Sequence, residues 1–399
     1  MLYFLDKKMP ETLTDRKCCH TCGKVSVKKL SKCTRCHAVT YCGPKCQRED
    51  WPRHCYHCVP VMIDHIPGKG RGLVASKDLK MGDLLFVDTA VIILDSPEGK
   101  FSPAVAKSLK EQIGQMSREE KTLFYGLKCG QMNDPGNSNH AMLNYYGARE
   151  SCREEAKIFN SNCLSIGSGP YADPKLSCFL VHPILNHSCA PNAFVGRMTK
   201  LSQKYKEPKL RMEVRAIKDI SRGEEVTICY LSADSQCMQP QSLMKQTLLR
   251  EYEFDCECDV CLGKIPDQDA IKRKIWNLRM QYLNTAPTQG AHQKTRSDWK
   301  REALMLEKML DLTVKLHVGH LRTSSACDAL AISAQLARNK TLLDKAKNTM
   351  KELSEKTNSE EHKIDYEEME KKYGQWAEQF NSKIHPSEME IDFITDVSA

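Results

Sequence analysis

The 399-residue sequence has no long apolar run. None of its stretches approaches the ~18 residues that a membrane-spanning helix needs. The short apolar patch in the N-terminal MLYFLDKK is too brief for the hydrophobic core of a signal peptide. The expectation is a chain without a membrane span, shared between cytoplasm and nucleus. Aromatic residues make up only 7%, and no basic stripe is interleaved with rings in the manner of single-strand nucleic-acid binders. The glycine-rich turn from Gly68 lacks a Gly-Lys-Ser/Thr ending, so it is no P-loop. No firm 34-residue repeat is present either. Wholesale disorder is excluded by a hydrophobic content of 41%. The length suits roughly two to three domains of about 150 residues.

Cysteine and positive charge are what the chain does have, and they coincide. Nine of the 20 cysteines fall within residues 18–58. Residues 16–58 carry ten Lys/Arg against Glu49 and Asp50, a net +8, which equals the formal charge of the whole chain. The remainder holds equal numbers of acids and bases. In a reducing compartment such cysteines are metal ligands rather than disulfides.

Their spacing supports that reading: Cys19-x2-Cys22, Cys33-x2-Cys36, Cys42-x3-Cys46 and His54-x3-Cys58. Four pairs of soft or borderline ligands suit two tetrahedral zinc sites. A two-residue gap lets both thiolates of a turn face one ion. The last two pairs are expected on one face of a helix at i, i+4. Cys18 could compete with Cys19, but the gap to Cys22 favours Cys19. Cys55, His20, His37 and His57 read as spare. Forty residues with so few apolar side chains cannot build an adequate core, so metal would supply the folding energy.

A second constellation follows: Gly68-Lys69-Gly70-Arg71-Gly72-Leu73, then Asn186-His187-Ser188-Cys189-Ala190-Pro191-Asn192, then Gly223-Glu224-Glu225-Val226-Thr227-Ile228-Cys229-Tyr230, then Phe254-Asp255-Cys256-Glu257-Cys258-Asp259-Val260-Cys261. Glycine in the first would admit close backbone approach by a ligand. The thiolates of Cys256, Cys258 and Cys261 need a fourth ligand to close a tetrahedron, and the unpaired Cys189 is the candidate.

Residues 18–58 resemble a MYND zinc finger, and the four later elements resemble SET-domain lysine methyltransferases, in particular the SET and MYND domain-containing family. The resemblance implies an α+β fold: a β-rich SET fold with a helical insertion, an N-terminal zinc finger and a helical C-terminal domain. It implies cross-braced zincs, one on Cys19, Cys22, Cys42 and Cys46, the other on Cys33, Cys36, His54 and Cys58, and a third ion on Cys189, Cys256, Cys258 and Cys261. It also implies S-adenosylmethionine as cofactor, with Lys69, Gly70 and Arg71 along its methionine part and Asn186 and His187 at its amino and adenine groups. Phe254 resembles the ring stacked on adenine, and Tyr230 the catalytic-site tyrosine that also borders the cofactor. Tyr252 resembles a second wall of the lysine channel. Asn162 resembles a further cofactor contact, more loosely, because the family usually has an aromatic residue where Leu164 stands.

The implied reaction fits these residue types. A lysine ammonium is not nucleophilic, and a narrow aromatic channel would desolvate it and lower its pKa. The implied partner is a protein substrate with a target lysine, met by a monomer. For the finger three readings stay open: a dock for proline-containing peptides, a weak DNA contact through its basic face, or a scaffold. A MYND-based adaptor or transcriptional corepressor with a weak or inactive SET fold is the alternative from another class, and a methyltransferase acting on a small molecule or nucleic acid is a third.

The expected layout is an N-terminal extension (1–17), the finger (18–58), a SET domain (65–262) with a helical insertion near 96–160 and a post-SET motif (252–262), and a helical C-terminal domain (263–399). Helices are expected over 101–116, 118–127, 144–159, 329–336, 342–350 and 366–380, with a loop at 133–139 and a polar connector at 282–298. Strands are expected over 84–87, 91–94, 193–198, 210–216 and 225–230. Leu306, Met309, Leu310 and Val314 are expected on one buried helix face. In the usual family order the finger interrupts the SET domain after the Gly-rich turn; here it precedes Gly68. Because the surplus charge lies in the finger, deleting residues 1–58 is expected to abolish salt-sensitive retention on an acidic resin. Retention surviving the deletion would locate the attraction elsewhere.

Overall fold

The structure, a computed structural model, describes residues 18–25, 30–54, 58–95, 103–127, 153–166, 175–198, 210–231, 239–285, 296–316, 319–357 and 371. The chain divides into two compact units. The first takes Met1–His187, Asn192–Ile228 and Thr247–Asp255; the second takes Ser188–Pro191, Cys229–Gln246 and Cys256–Ala399. The expected loop at 133–139 lies outside the described residues, as do residues 1–17, all of 144–152 and, apart from residue 371, the expected helix at 366–380. Among the described residues, no helix is long and apolar enough to cross a membrane.

The first unit runs through β1 (Ser31–Lys32), β2 (Thr40–Tyr41), α1 (Pro44–His54), β3 (Val61–Ile66), β4 (Gly70–Ala75), β5 (Leu84–Thr89), β6 (Ile92–Asp95), α2 (Pro103–Gln115), α3 (Arg118–Tyr125) and α4 (Arg153–Asn162). It continues with β7 (Cys163–Ile166), β8 (Lys175–Cys178), β9 (Asn186–His187), β10 (Ala193–Met198), β11 (Arg211–Ala216) and β12 (Glu225–Ile228).

In the finger, β1 and β2 pair antiparallel beside α1. Its buried cluster is Cys19, Cys33, Cys36, Ala38, Val39, Tyr41 and Cys58, so four of seven members are predicted ligands. An apolar core of three residues cannot offset the entropy of ordering this segment. The finger docks on the sheet that follows it: the buried Ser76 hydroxyl donates to the Cys36 carbonyl, and the Ser76 amide to Pro60.

Three small sheets follow. The hairpin β3–β4 pairs Ile66 with Gly70 across a tight turn, where Gly68 (φ +74°) and Gly70 (φ +79°) adopt the left-handed backbone that side chains disfavour. β12 pairs antiparallel with β4 and parallel with β9, giving the order β3-β4-β12-β9. The other orders are β10-β11-β5 and β6-β8-β7. Helices α2 to α4 cover the last sheet, burying Ile92, Leu94, Leu109, Phe124, Phe159 and Leu176 together. A capping box starts α3: Ser117 Oγ accepts from the Glu120 amide and Glu120 Oε2 from the Ser117 amide.

Buried Asp88 on β5 pins the turn that leads into β9. Its Oδ2 accepts from the amides of Val181 (2.9 Å) and His182 (2.8 Å), and Oδ1 from Thr89 (3.0 Å). Burial pushes its carboxyl up to about 6, against the opposing pull of those three amides.

The second unit is helical. α5 (Gln241–Tyr252) begins in it, and α6 (Gln268–Thr285), α7 (Arg296–Thr313), α8 (Gly319–Leu336) and α9 (Lys340–Thr357) follow. α7, α8 and α9 bury Ala303, Leu306, Leu310, Cys327, Leu330, Leu343 and Met350 in one core. Two expectations are corrected here. The connector at 282–298 is helical at both ends, because α6 runs on to Thr285 and α7 begins at Arg296. Val314 is 50% exposed just past the end of α7, and Ala303 and Thr313 fill the buried stripe with Leu306 and Leu310.

Asp88→Ala should strand two buried amides at about 1–3 kcal/mol each. A loss of about 3 kcal/mol in unfolding free energy is expected by chemical denaturation. A loss below about 1 kcal/mol would show that the turn holds itself.

Candidate active site and metal centres

The structure gathers the predicted ligands into three groups: Cys19, Cys22, Cys42 and Cys46; Cys33, Cys36, His54 and Cys58; and Cys189, Cys256, Cys258 and Cys261. Within each, the ligand atoms all lie within 4.8 Å of one another. A tetrahedron of Zn–S bonds of about 2.3 Å has edges of about 3.8 Å, and a sulfur–imidazole edge is about 3.5 Å. The observed separations fit: Cys22–Cys42 3.8 Å, Cys33–Cys58 3.7 Å, Cys36 Sγ–His54 Nε2 3.5 Å, Cys189–Cys256 3.9 Å and Cys189–Cys261 3.7 Å. The donor sets are those of structural zinc, with no position left for water.

One expectation fails in detail. The pairs Cys42/Cys46 and His54/Cys58 do not share a helix face. α1 carries only Cys46 and His54, while Cys42 precedes its start at Pro44 and Cys58 lies beyond its end. Each site instead combines one helical ligand with ligands from turns. Sequence reasoning also missed a shared support. Asp50, buried on α1, accepts at Oδ2 from Tyr41 Oη (2.7 Å) and His20 Nδ1 (2.8 Å). His20, read as spare, is thus a buttress between the two sites. In the third group the Cys189 amide donates to Cys258 Sγ (3.4 Å). Gln241 at the start of α5 donates to the carbonyls of Val260 (3.2 Å) and Cys261 (2.8 Å), holding the thiolate loop.

The candidate cofactor residues converge on Glu225 at the head of β12. Glu225 Oε2 accepts from Lys69 Nζ (2.7 Å) and Oε1 from Asn186 Nδ2 (2.8 Å). Asn186 Nδ2 also donates to the Arg71 carbonyl (3.1 Å), and the Arg71 guanidinium donates to the Gly126 carbonyl. Gly72 makes this convergence possible. A Cβ there would sit 2.5 Å from Ile66 Cγ1, 2.8 Å from Asn186 Nδ2 and 3.3 Å from Glu225 Oε1. Three side chains of the protein itself therefore close over Gly72, while the Cβ positions at Gly68 and Gly70 are open.

The Asn-His-Ser-Cys run is a strand before it is a ligand set. Asn186 and His187 ladder in parallel with Thr227 and Ile228. Asn192 locks the same edge: its Nδ2 donates to Glu224 Oε1 (3.0 Å) and the Glu225 carbonyl (2.8 Å), and its Oδ1 accepts from the Thr227 amide (2.9 Å). The buried His187 ring lies 6.1 Å from Phe254, which lies 6.5 Å from Tyr252 edge to face. Glu253 between those two rings is left-handed (φ +58°), turning the chain at the end of α5. Asn162, last residue of α4, donates to the Ile158 carbonyl of its own helix (2.7 Å). Tyr230 follows β12 by two residues, half-buried. Glu225, Gly72 and Asn192 were absent from the predicted site. All three lie within quoted motifs, but nothing in their residue types marks them as a knot.

Residues 70–231 match the family model of the SET domain, and residues 19–58 that of the MYND finger. Human "N-lysine methyltransferase SMYD2" is 27% identical over 259 residues, 62% of this chain and 51% of that protein. Mouse "Histone-lysine N-methyltransferase SMYD3" is 26% identical over 290 residues, 69% of this chain and 58% of that protein. The chain thus spans about half the length of the curated relatives it matches. Among solved structures, the Neurospora SET domain protein DIM-5, a histone lysine methyltransferase, aligns at 15% identity and TM-score 0.21, covering 46% of this chain and 58% of that one.

Elemental analysis is expected to give three zinc ions per chain, and two for Cys256→Ser. One ion or none in freshly purified wild type would contradict the ligand groups.

Proposed function

From the premise that a chain carrying both a SET domain and a MYND finger belongs with the SET and MYND domain-containing proteins, we propose that it is an S-adenosylmethionine-dependent protein-lysine N-methyltransferase. The observation that carries this reading is the convergence of Lys69, Arg71 and Asn186 on one sheet end, around a glycine whose Cβ the site cannot hold. The cofactor, when bound, supplies an electrophilic methyl group on a positively charged sulfur. Lys69 and Asn186 would hold its amino-acid end, Gly70, whose Cβ position is open, would let it lie against the backbone, and His187 and Phe254 would flank its adenine.

Tyr230 and Tyr252 would strip water from the incoming lysine and orient its neutral amine through ring faces and hydroxyl dipoles. A tyrosine hydroxyl has an ordinary pKa of about 10, so Tyr230 is assigned orientation rather than proton abstraction, and the proton leaves to water. The three metal centres lack an open coordination position and take no part in the chemistry. The substrate is a protein with a target lysine.

Transfer of tritiated methyl groups from S-adenosylmethionine to a protein lysate tests this. Label on protein lysines is expected with wild type. Tyr230→Phe should lower turnover about 100-fold, the scale of one lost polar contact in a transition state, while affinity for S-adenosylhomocysteine stays within about twofold. Wild-type turnover in that variant would remove Tyr230 from its role. No cofactor binding and no label at all would sink the enzyme reading in favour of an adaptor.

A further inference from the structure

We propose that Glu225 is a positioning residue that sets Lys69 and Asn186 to read the two ends of an α-amino acid zwitterion. The proposal rests on the cofactor reading above and assigns a role to a residue outside the predicted site. Both oxygens of its carboxylate are used, one by the Lys69 ammonium and one by the Asn186 amide. The side chain is only 18% exposed, against 37% for Lys69, so the pair is shielded on the glutamate side and open on the lysine side.

The consequence for Asn186 is directional. Its Nδ2 spends both hydrogens, one on Glu225 Oε1 and one on the Arg71 carbonyl. A flipped amide would bring Oδ1 against two acceptor oxygens, which is repulsive, so the carboxylate and the carbonyl together fix the rotamer. Oδ1 is then the group left to meet a ligand, and it can only accept. An acceptor there suits an ammonium and rejects a carboxylate. Lys69 spends one of three donors on Oε2 and keeps two, which suit a carboxylate. One fixed carboxylate thus presents an acceptor and a cation from its two oxygens, the complement of a zwitterionic amino-acid terminus.

The packing explains why a glutamate is suited to this task. β12 pairs with β4 through Glu225–Val74 and with β9 through Thr227–Asn186. The residue thus heads the strand that touches both the Gly-rich turn and the Asn-His strand. Glu224, its neighbour, is engaged elsewhere: it accepts from the Ser221 amide and the Asn192 side chain. The two acids therefore have separate tasks, and Glu224→Gln is a control for a general loss of charge.

The test compares two probes on the full chain by calorimetry: S-adenosylhomocysteine, which carries the amino-acid end, and methylthioadenosine, which lacks it. Wild type should prefer the first strongly. Glu225→Gln and Glu225→Asp, the latter one methylene too short to span both partners, should each reduce that preference about tenfold. Their methylthioadenosine affinity should stay within about twofold of wild type, and Glu224→Gln should retain the preference. An unchanged preference in folded Glu225 variants overturns the proposal. So does an equal loss for both probes, the mark of a merely structural role. If neither Glu225 variant folds, Lys69→Met decides: it must remove part of the preference, and a full preference overturns the proposal. Failure of wild type to bind either probe would instead overturn the cofactor reading beneath it.

Discussion

The first unit depends on the backbone ladder of one four-residue strand. Glu225–Ile228 is hydrogen-bonded on both edges, antiparallel to the Gly-rich strand and parallel to Asn186–His187. Parallel pairing of so short a segment is weak by itself. It is secured by Asn192, whose side chain closes on Glu224, on the Glu225 carbonyl and on the Thr227 amide, and by Asp88, whose buried carboxylate fixes the turn before Asn186. Residues far apart in sequence therefore meet at Glu225 because main-chain pairing brings them there, and side-chain chemistry follows from that placement.

Metal coordination does for the finger and the post-SET loop what burial does elsewhere. Where α7, α8 and α9 cover one another with a dozen apolar residues, the finger has Ala38, Val39 and Tyr41. The remaining interior is thiolate. Asp50 ties the two finger sites together through Tyr41 and His20, so the pair behaves as one unit of four crossing ligand pairs rather than two independent clips. Second-layer groups of this kind orient ligands and strengthen metal binding.

Much of this was legible in the sequence, and the reasons differ by region. The zinc ligands were readable because two-residue gaps between cysteines have few other uses, and Cys189 was found by counting to four. The strand at 193–198 was readable, as was the one expected over 225–230 after the turn at Ser221–Gly223, though it ends at Ile228. Glu225 was not, because two adjacent acids look alike until the register with β4 shows which of them faces Lys69 and Asn186. The Asp50–His20 contact was hidden by a separation of thirty residues. The helical ends of the 282–298 connector were hidden by composition, since a polar helix surface and a loop share residue types. The pattern at Leu306 and Leu310 held, and failed at Val314, where α7 had already ended.

The finger meets its sheet from one side of the chain only, ahead of β3, and the connection from β4 to β5 is a mere eight residues. Had roughly fifty residues been spliced into that connection, its closure would cost about 1.7 kcal/mol more in loop entropy. Placing the finger in front makes it a pendant rather than an inclusion. The Ser76–Cys36 hydrogen bond then joins two stretches of chain that lie one after the other, as a latch between a door and its frame.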